Sequence, residues 1–145
     1  MQRTSFATME CPVAHALEHV GDLWSMLIVR DALHGLARFD EFQRSLGIST
    51  SSLTRHLNGL VAAGVLERRP YSERPPRFEY VLTEAGLDLK PVVIALAAWG
   101  QAHDPPETNP TVVVDSTTGE LIDPVLIDRR SGRDVRDPAI VFQRR

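Results

Sequence analysis

The chain has 145 residues, of which 43% are hydrophobic and 24% charged, with a formal net charge of −3 and one cysteine, values that predict one ordinary globular domain plus an appendage. Its longest apolar run, Pro91 to Gly100, is about half of the ~20 residues a membrane-spanning helix needs, and no secretory apolar region follows Met1. A lone Cys11 excludes an internal disulfide and a multi-cysteine metal cage, so the expectation is a cytoplasmic protein with no membrane partner.

Residues 1–10 carry no pattern and predict a loose N-terminal arm. Pro12 lacks the N–H that a first helical turn leaves unbonded, and it opens a helix with Val13, Ala16, Leu17 and Val20 at helical spacing. Gly21 ends this helix, and Asp22 is placed to cap the next. That second helix runs to about Leu33, and its wide apolar face of Leu23, Trp24, Leu27, Ile28 and Val29 predicts a central, buried element. Beyond Gly35, Phe39, Phe42 and Leu46 mark a short third helix that Gly47 stops. Ser49 is the N-cap of a fourth, with Leu53, Leu57, Leu60 and Val61 turned inward and Gly64 as a left-handed stop. Helix, Gly-containing turn and helix make a helix-turn-helix.

The period then changes. Val65–Arg69 and Arg77–Leu82 predict two strands around PYSERPP, a projecting loop stiffened by Pro75 and Pro76. Two strands with a basic loop after a helix-turn-helix predict a winged helix, mainly α with a small β wing in an α+β fold. Thr83 caps a last helix, with Glu84 in its first turn and Leu87, Val92, Val93, Leu96, Ala97 and Trp99 on its apolar surface. Pro91 either bends this helix or divides it in two. So large an apolar face at the end of a small domain is expected to seal a homodimer through Val92, Val93, Leu96 and Trp99, with Val13 and Leu17 of the first helix; the alternative is packing on its own domain. Residues 11–103 are thus expected to form a winged helix-turn-helix domain for DNA binding and dimerisation. In 104–145, DPPETNP is a linker, Thr111–Asp115 and Glu120–Asp123 flank STTG as a β-hairpin, and the segment RRSGRDVRDP reads as irregular tail. No internal repeat is apparent.

Five blocks, in this order and spacing, resemble the HxlR family of bacterial winged-helix regulators, within the MarR-like superfamily. They are Cys11-Pro12-Val13, Gly21-Asp22-Leu23-Trp24, Arg38-Phe39-Asp40-Glu41-Phe42, Gly47-Ile48-Ser49 through Leu53-Thr54, and Pro76-Arg77-Phe78-Glu79-Tyr80-Val81-Leu82-Thr83-Glu84-Ala85-Gly86. The resemblance runs from about Cys11 to Gly100. It implies a homodimer on an inverted repeat of double-stranded DNA, with a recognition helix in each of two major grooves. It also implies control of a nearby operon, in some members in response to a small electrophile or oxidant. Three positions depart from the family's habit: Leu23 and Ser51 replace common cations, and His56 stands where Arg is frequent. Losing cations there weakens phosphate attraction and alters base preference.

A recognition helix needs one apolar face to seat it and one small or polar face to enter the groove. With the leucines inward, Ser51, Ser52, Arg55, Asn58 and Gly59 point outward. Ser49, Thr50 and Thr54 add hydroxyls for phosphates or base edges. Arg55 is the candidate for bidentate readout of guanine, against the plainer reading of a solvated cation, and His56 is a secondary candidate towards the flank. In the wing, Arg68, Arg69, Arg74 and Arg77 are placed for phosphates or the minor groove, with Arg77 alternatively paired to Glu79. From Ser49 to Arg77 five arginines stand against two glutamates, a local balance of +3 inside a chain of −3.

Cys11 precedes a helix N-terminus, whose dipole favours thiolate, so it is either a redox sensor or a small buried anchor. Trp24, Phe39, Phe42 and Trp99 either line an effector pocket or are plain core. His15 and His19 lie four apart without a nearby third ligand, and no metal or cofactor is expected. Phosphate loops, nucleophile elbows and zinc arrays are missing from the sequence, which argues against an enzyme. The rival reading is a winged helix that binds protein rather than DNA.

Overall fold

Glycine stops and hydroxyl or carboxylate caps cut the first ninety residues into short helices, and the computed structural model, which describes residues 4–108 and 111–143, shows where each begins. The order is α1 (Pro12–Val20), α2 (Ser25–Leu33), α3 (Phe39–Leu46), α4 (Thr50–Ala62), β1 (Leu66–Glu73), β2 (Pro76–Leu82), α5 (Glu84–Leu87) and α6 (Lys90–His103). The chain divides into two units, Met1–Val93 and Ile94–Arg145. Among the described residues no helix is long and apolar enough to cross a membrane.

The core of the first unit is built from Ile28 and Val29 of α2, Phe42 of α3, Leu53, Leu57 and Leu60 of α4, and Leu66 of β1, all sealed from solvent. Trp24, Phe39, Leu89 and Val93 pack against this cluster. Complete burial of a leucine or phenylalanine stabilises a fold by about 1.5–3 kcal/mol, so these positions outweigh any surface feature.

Asp22 does not start α2, as the sequence predicted. Its Oδ1 instead accepts from the backbone N–H of Trp24 and of Ser25, both at 2.9 Å, and the carboxylate also accepts from the Ser25 hydroxyl. The carboxylate thereby closes a turn, and regular helix begins only at Ser25. His56 of α4 reaches the same carboxylate, with Nε2 3.1 Å from Oδ1. Burial by itself raises the Asp22 carboxyl. The hydrogen bonds from Ser25 and Trp24, with the nearby His56 ring, outweigh burial and hold it below its ordinary 3.8.

β1 and β2 are antiparallel, from Leu66 opposite Leu82 to Glu73 opposite Pro76. The predicted projecting loop is mostly strand. Tyr71 is the extra residue of a bulge between Pro70 and Ser72, which lets a proline-containing segment stay paired and leaves only Arg74 and Pro75 at the tip. The backbone N–H of Tyr80 donates to Ala37 O at 2.7 Å, so the approach to α3 is tied to the wing. Pro91 divides rather than bends the terminal helix: α5 ends at Leu87, and Pro91 is the second residue of α6, where its missing N–H costs nothing. The arm is also less loose than expected. The Ser5 hydroxyl and the Phe6 N–H both donate to Glu18 of α1, at 3.0 and 2.8 Å.

In the second unit the expected hairpin closes at Asp115, whose N–H donates to Glu120 O at 2.9 Å while the Gly119 N–H donates to Asp115 O at 2.7 Å. The segment read as irregular tail repeats this turn thirteen residues later. The Asp128 N–H donates to Arg133 O at 2.8 Å, and the Gly132 N–H donates to Asp128 O at 2.7 Å. Both aspartates accept from a hydroxyl inside their own turn, Thr117 or Ser131 at 2.5 Å, and both glycines are left-handed, with φ of 75° and 69°. The repeat is masked in the sequence because only the Asp, the Gly and the apolar flanks are shared, with Ser-Thr-Thr in one turn and Arg-Arg-Ser in the other.

Two stability measurements check this packing. A Cβ on Gly86 would lie 2.2 Å from Val65 O, whereas one on Gly59 meets nothing within 4 Å. Gly86→Ala is therefore expected to cost about 2–4 kcal/mol in urea unfolding, and Gly59→Ala to raise stability by roughly 0.5–1 kcal/mol. Asp22→Asn should cost about 1–2 kcal/mol at neutral pH. Because the carboxyl is held below 3.8, its contribution is complete above that value and is lost as pH falls through the folded one. Wild type and variant should converge in acid.

Candidate nucleic-acid interface

The face α4 turns outward follows from the three leucines it buries. With Leu53, Leu57 and Leu60 against the core, Ser51, Thr54, Arg55, Asn58 and Gly59 are exposed. Ser49 caps the helix, its hydroxyl accepting from the Ser52 N–H at 3.3 Å. Gln43 of α3 fixes the first turn by donating from Nε2 to the Thr50 hydroxyl at 2.9 Å. The Thr54 hydroxyl donates back to Thr50 O at 2.8 Å, leaving its acceptor side outward. Among the described residues, the side chains of Ser51, Arg55 and Asn58 have no hydrogen bond or ion pair. They are the uncommitted groups on the helix.

His56 is placed differently. Only 10% of its side chain is exposed. One ring nitrogen faces Asp22, and Nδ1 lies 2.7 Å from Ser52 O and 3.4 Å from the Ser52 hydroxyl. Both nitrogens are engaged, and Ser52 is half-buried with them. The pair joins α4 to the turn before α2 instead of extending the outward face, an arrangement that helical spacing alone does not reveal.

On the wing the arginines separate into two groups. Arg68 lies over the Phe78 ring, 3.7 Å from its centroid, and Arg69 is paired with Glu67 at 3.1 Å. Arg74 sits at the tip and Arg77 opposite Ser72, both exposed and without an ion pair among the described residues, so the alternative pairing of Arg77 with Glu79 is not seen. The Ser72 hydroxyl donates to Pro75 O at 2.9 Å and braces the tip. Arg38, which in the sequence stands only as part of the third family block, stacks on Tyr71 at 4.5 Å beside the wing.

Other residues singled out by sequence are placed as follows. Phe42 is fully buried, with Trp24 and Phe39 packed against the same core. Val13 and Leu17 are exposed along α1, and Val92, Leu96 and Trp99 along one stripe of α6, whereas Val93 turns into the core. Cys11 is half-buried at the N-cap of α1 and makes no side-chain cap. His15 and His19 are exposed, and the described residues hold no cluster of three or more metal-ligating side chains.

This arrangement can be set against known proteins. The pattern of the HxlR-like helix-turn-helix family matches residues 19–108. The HTH-type transcriptional regulator Rv3095 of Mycobacterium tuberculosis is 43% identical over 124 residues, which span 85% of this chain and 78% of that protein. The crystal structure of PA1607, described as a transcription factor, superimposes with a TM-score of 0.86 at 36% identity, over 98% of this chain and 99% of that one. The redox regulator HypR in its oxidized form gives a TM-score of 0.59 at 36% identity, over 64% of this chain and 97% of that one. The winged helix-turn-helix and the matched pattern coincide along the sequence, and the chain belongs to the HxlR-like helix-turn-helix family, whose fold is that of a non-enzymatic, DNA-binding regulator of transcription.

Proposed function

We propose that the protein binds an inverted-repeat operator as a homodimer, each copy inserting α4 into a major groove and resting its wing on the flanking backbone. The observation that carries this reading is the outward face of α4, where Ser51, Arg55 and Asn58 stand exposed and unpaired on a helix anchored by three buried leucines. Small side chains let the helix axis approach the bases, Arg55 supplies a bidentate donor for guanine, and Asn58 supplies both a donor and an acceptor. Arg74 at the wing tip and Arg77 in the adjoining strand supply phosphate charge without base preference. Dimerisation is supported by the exposed apolar side chains Val13 and Leu17 on α1 and Val92, Leu96 and Trp99 on α6, since a lone copy leaves them in water. Two-fold symmetry places the half-sites about one helical turn apart, roughly 34–36 Å.

A redox input is the second part of the reading. It is supported by the likeness to HypR and by Cys11 at the N-cap of α1, next to the proposed dimer residues. With a single cysteine, such a switch requires an intersubunit disulfide or a low-molecular-weight adduct.

A footprint on DNA upstream of the protein's own gene tests the operator reading, and a protected two-fold-symmetric site is the expected result. Arg55→Ala should remove about 1–3 kcal/mol of discrimination at one base pair of each half-site. Arg74→Ala should weaken binding to all sequences alike and flatten the dependence of affinity on salt. If both variants bind as wild type does at low salt, α4 and the wing are not the DNA-contacting elements. Cys11→Ser should make DNA binding insensitive to oxidant, and loss of DNA by this variant on oxidation would remove the sensor role.

A further inference from the structure

The second unit has turns but no core. From Ile94 to Gln143 no described side chain is buried, although the segment is rich in large apolar residues. Leu121, Val125, Leu126 and Val141 are each 61–70% exposed, and Phe142 is 97% exposed. Several of its charged side chains show the opposite pattern, because they are satisfied locally. Asp115 and Asp128 are consumed by their own turns, Arg136 is bonded to Asp134, and Arg133 lies 3.8 Å from Asp137. The extension is thus preformed by short-range hydrogen bonds while its apolar side chains remain in water. Ordering each residue costs about 1–2 kcal/mol in backbone entropy, and isolated two-stranded hairpins are marginal in water. The missing burial has to come from another surface.

We infer that the twin hairpins form an interchain clamp, packing their apolar side chains against a second copy of this chain. Three observations select that occupant. The large apolar residues exposed in this unit present on the order of 1,000 Å² of surface, comparable with the about 800 Å² that each partner contributes to a stable protein–protein interface. Leu96 and Trp99 belong to this unit and continue, along one helix, the stripe that begins with Val92 in the proposed dimer face, so the two surfaces are contiguous in the chain. Residues 104–145 contain eight acidic against six basic side chains, a balance of −2 that disfavours both DNA and an anionic lipid surface. In a two-fold pair each extension is both donor and acceptor of contacts, so one geometry buries both sets. On α6 itself the clamp has a seat. A groove of about 270 Å³ lies between the helix face of Ile94, Ala97, Ala98 and Gln101 and the first hairpin, with Val113 and Ile122 opposite.

This inference rests on the homodimer reading, and the experiment separates the two. Sedimentation velocity over a concentration series compares the full-length wild-type chain with Leu126→Asp in the extension and Leu96→Asp on α6. Both substitutions fall on exposed side chains and should leave the first unit folded by circular dichroism. The expected result is that each raises the dimer dissociation constant at least tenfold. If Leu96→Asp separates the copies and Leu126→Asp does not, the clamp is overturned while the homodimer stands; a monomeric wild type overturns both. As an independent readout, Cys11→Ser combined with Leu126→Cys carries a benzophenone maleimide, and irradiation should yield a covalent species of twice the chain's mass. Cross-links confined to single chains overturn the proposal.

Discussion

Leu53, Leu57 and Leu60 lie along one side of α4 and are closed off by Phe42, Ile28 and Val29, and this contact orients the rest of the molecule. A helix is stiff, so once one face is seated the opposite face is aimed. The leucines therefore determine that Ser51, Arg55 and Asn58 meet solvent together. Exchange of any of the three for a smaller residue would loosen the aim as well as the core. The direction of α4 is held by two polar contacts: Gln43 to the Thr50 hydroxyl at its start, and His56 to Asp22 at its middle. The base-reading role proposed for this face depends on such bracing, because a misplacement of about 1 Å spoils a bidentate hydrogen bond.

The electrostatics show why a chain of net −3 can present a cationic face. Much of its negative charge is spent on local architecture. Glu41 accepts from the backbone N–H of Ala37 and Arg38 at the start of α3, and Asp22, Asp115 and Asp128 close turns. Asp134, bonded to the Arg136 side chain and backbone, is held down at about 2. These carboxylates stay ionised and lie against the donors that need them. The cations divide in the opposite sense, because Arg38 and Arg68 are stacked on aromatic rings while Arg55, Arg74 and Arg77 remain unpaired on the helix and the wing. Phosphates respond to that local field over a Debye length of about 8 Å, which is why the sum of charges misleads.

The two units divide the physical work. The first spends its apolar residues on a closed core. The second spends hydrogen bonds on two copies of one turn and leaves its apolar residues outside. Such a design is stable only where an additional surface is supplied, and it ties the order of the extension to assembly of the protein.

Local chemistry in the sequence determined the element types and the face of α4. Glycine stops, Ser49 and Thr83 caps, and leucine spacing act over a few residues, and the blocks around Gly21-Asp22 and Pro76–Gly86 carried the family. Tertiary structure decided what spacing cannot express. Asp22 closes a turn instead of starting a helix because Ser25 and His56 converge on its carboxylate, and His56 is withdrawn from the outward face for the same reason. Tyr71 bulges to keep Pro70 in the sheet, Val93 turns inward while Val92 does not, and the tail folds into a second hairpin whose shared residues are too few to stand out in one dimension. In each case the deciding partner is brought near by the fold, or lies within a motif whose geometry, not its letters, is what repeats.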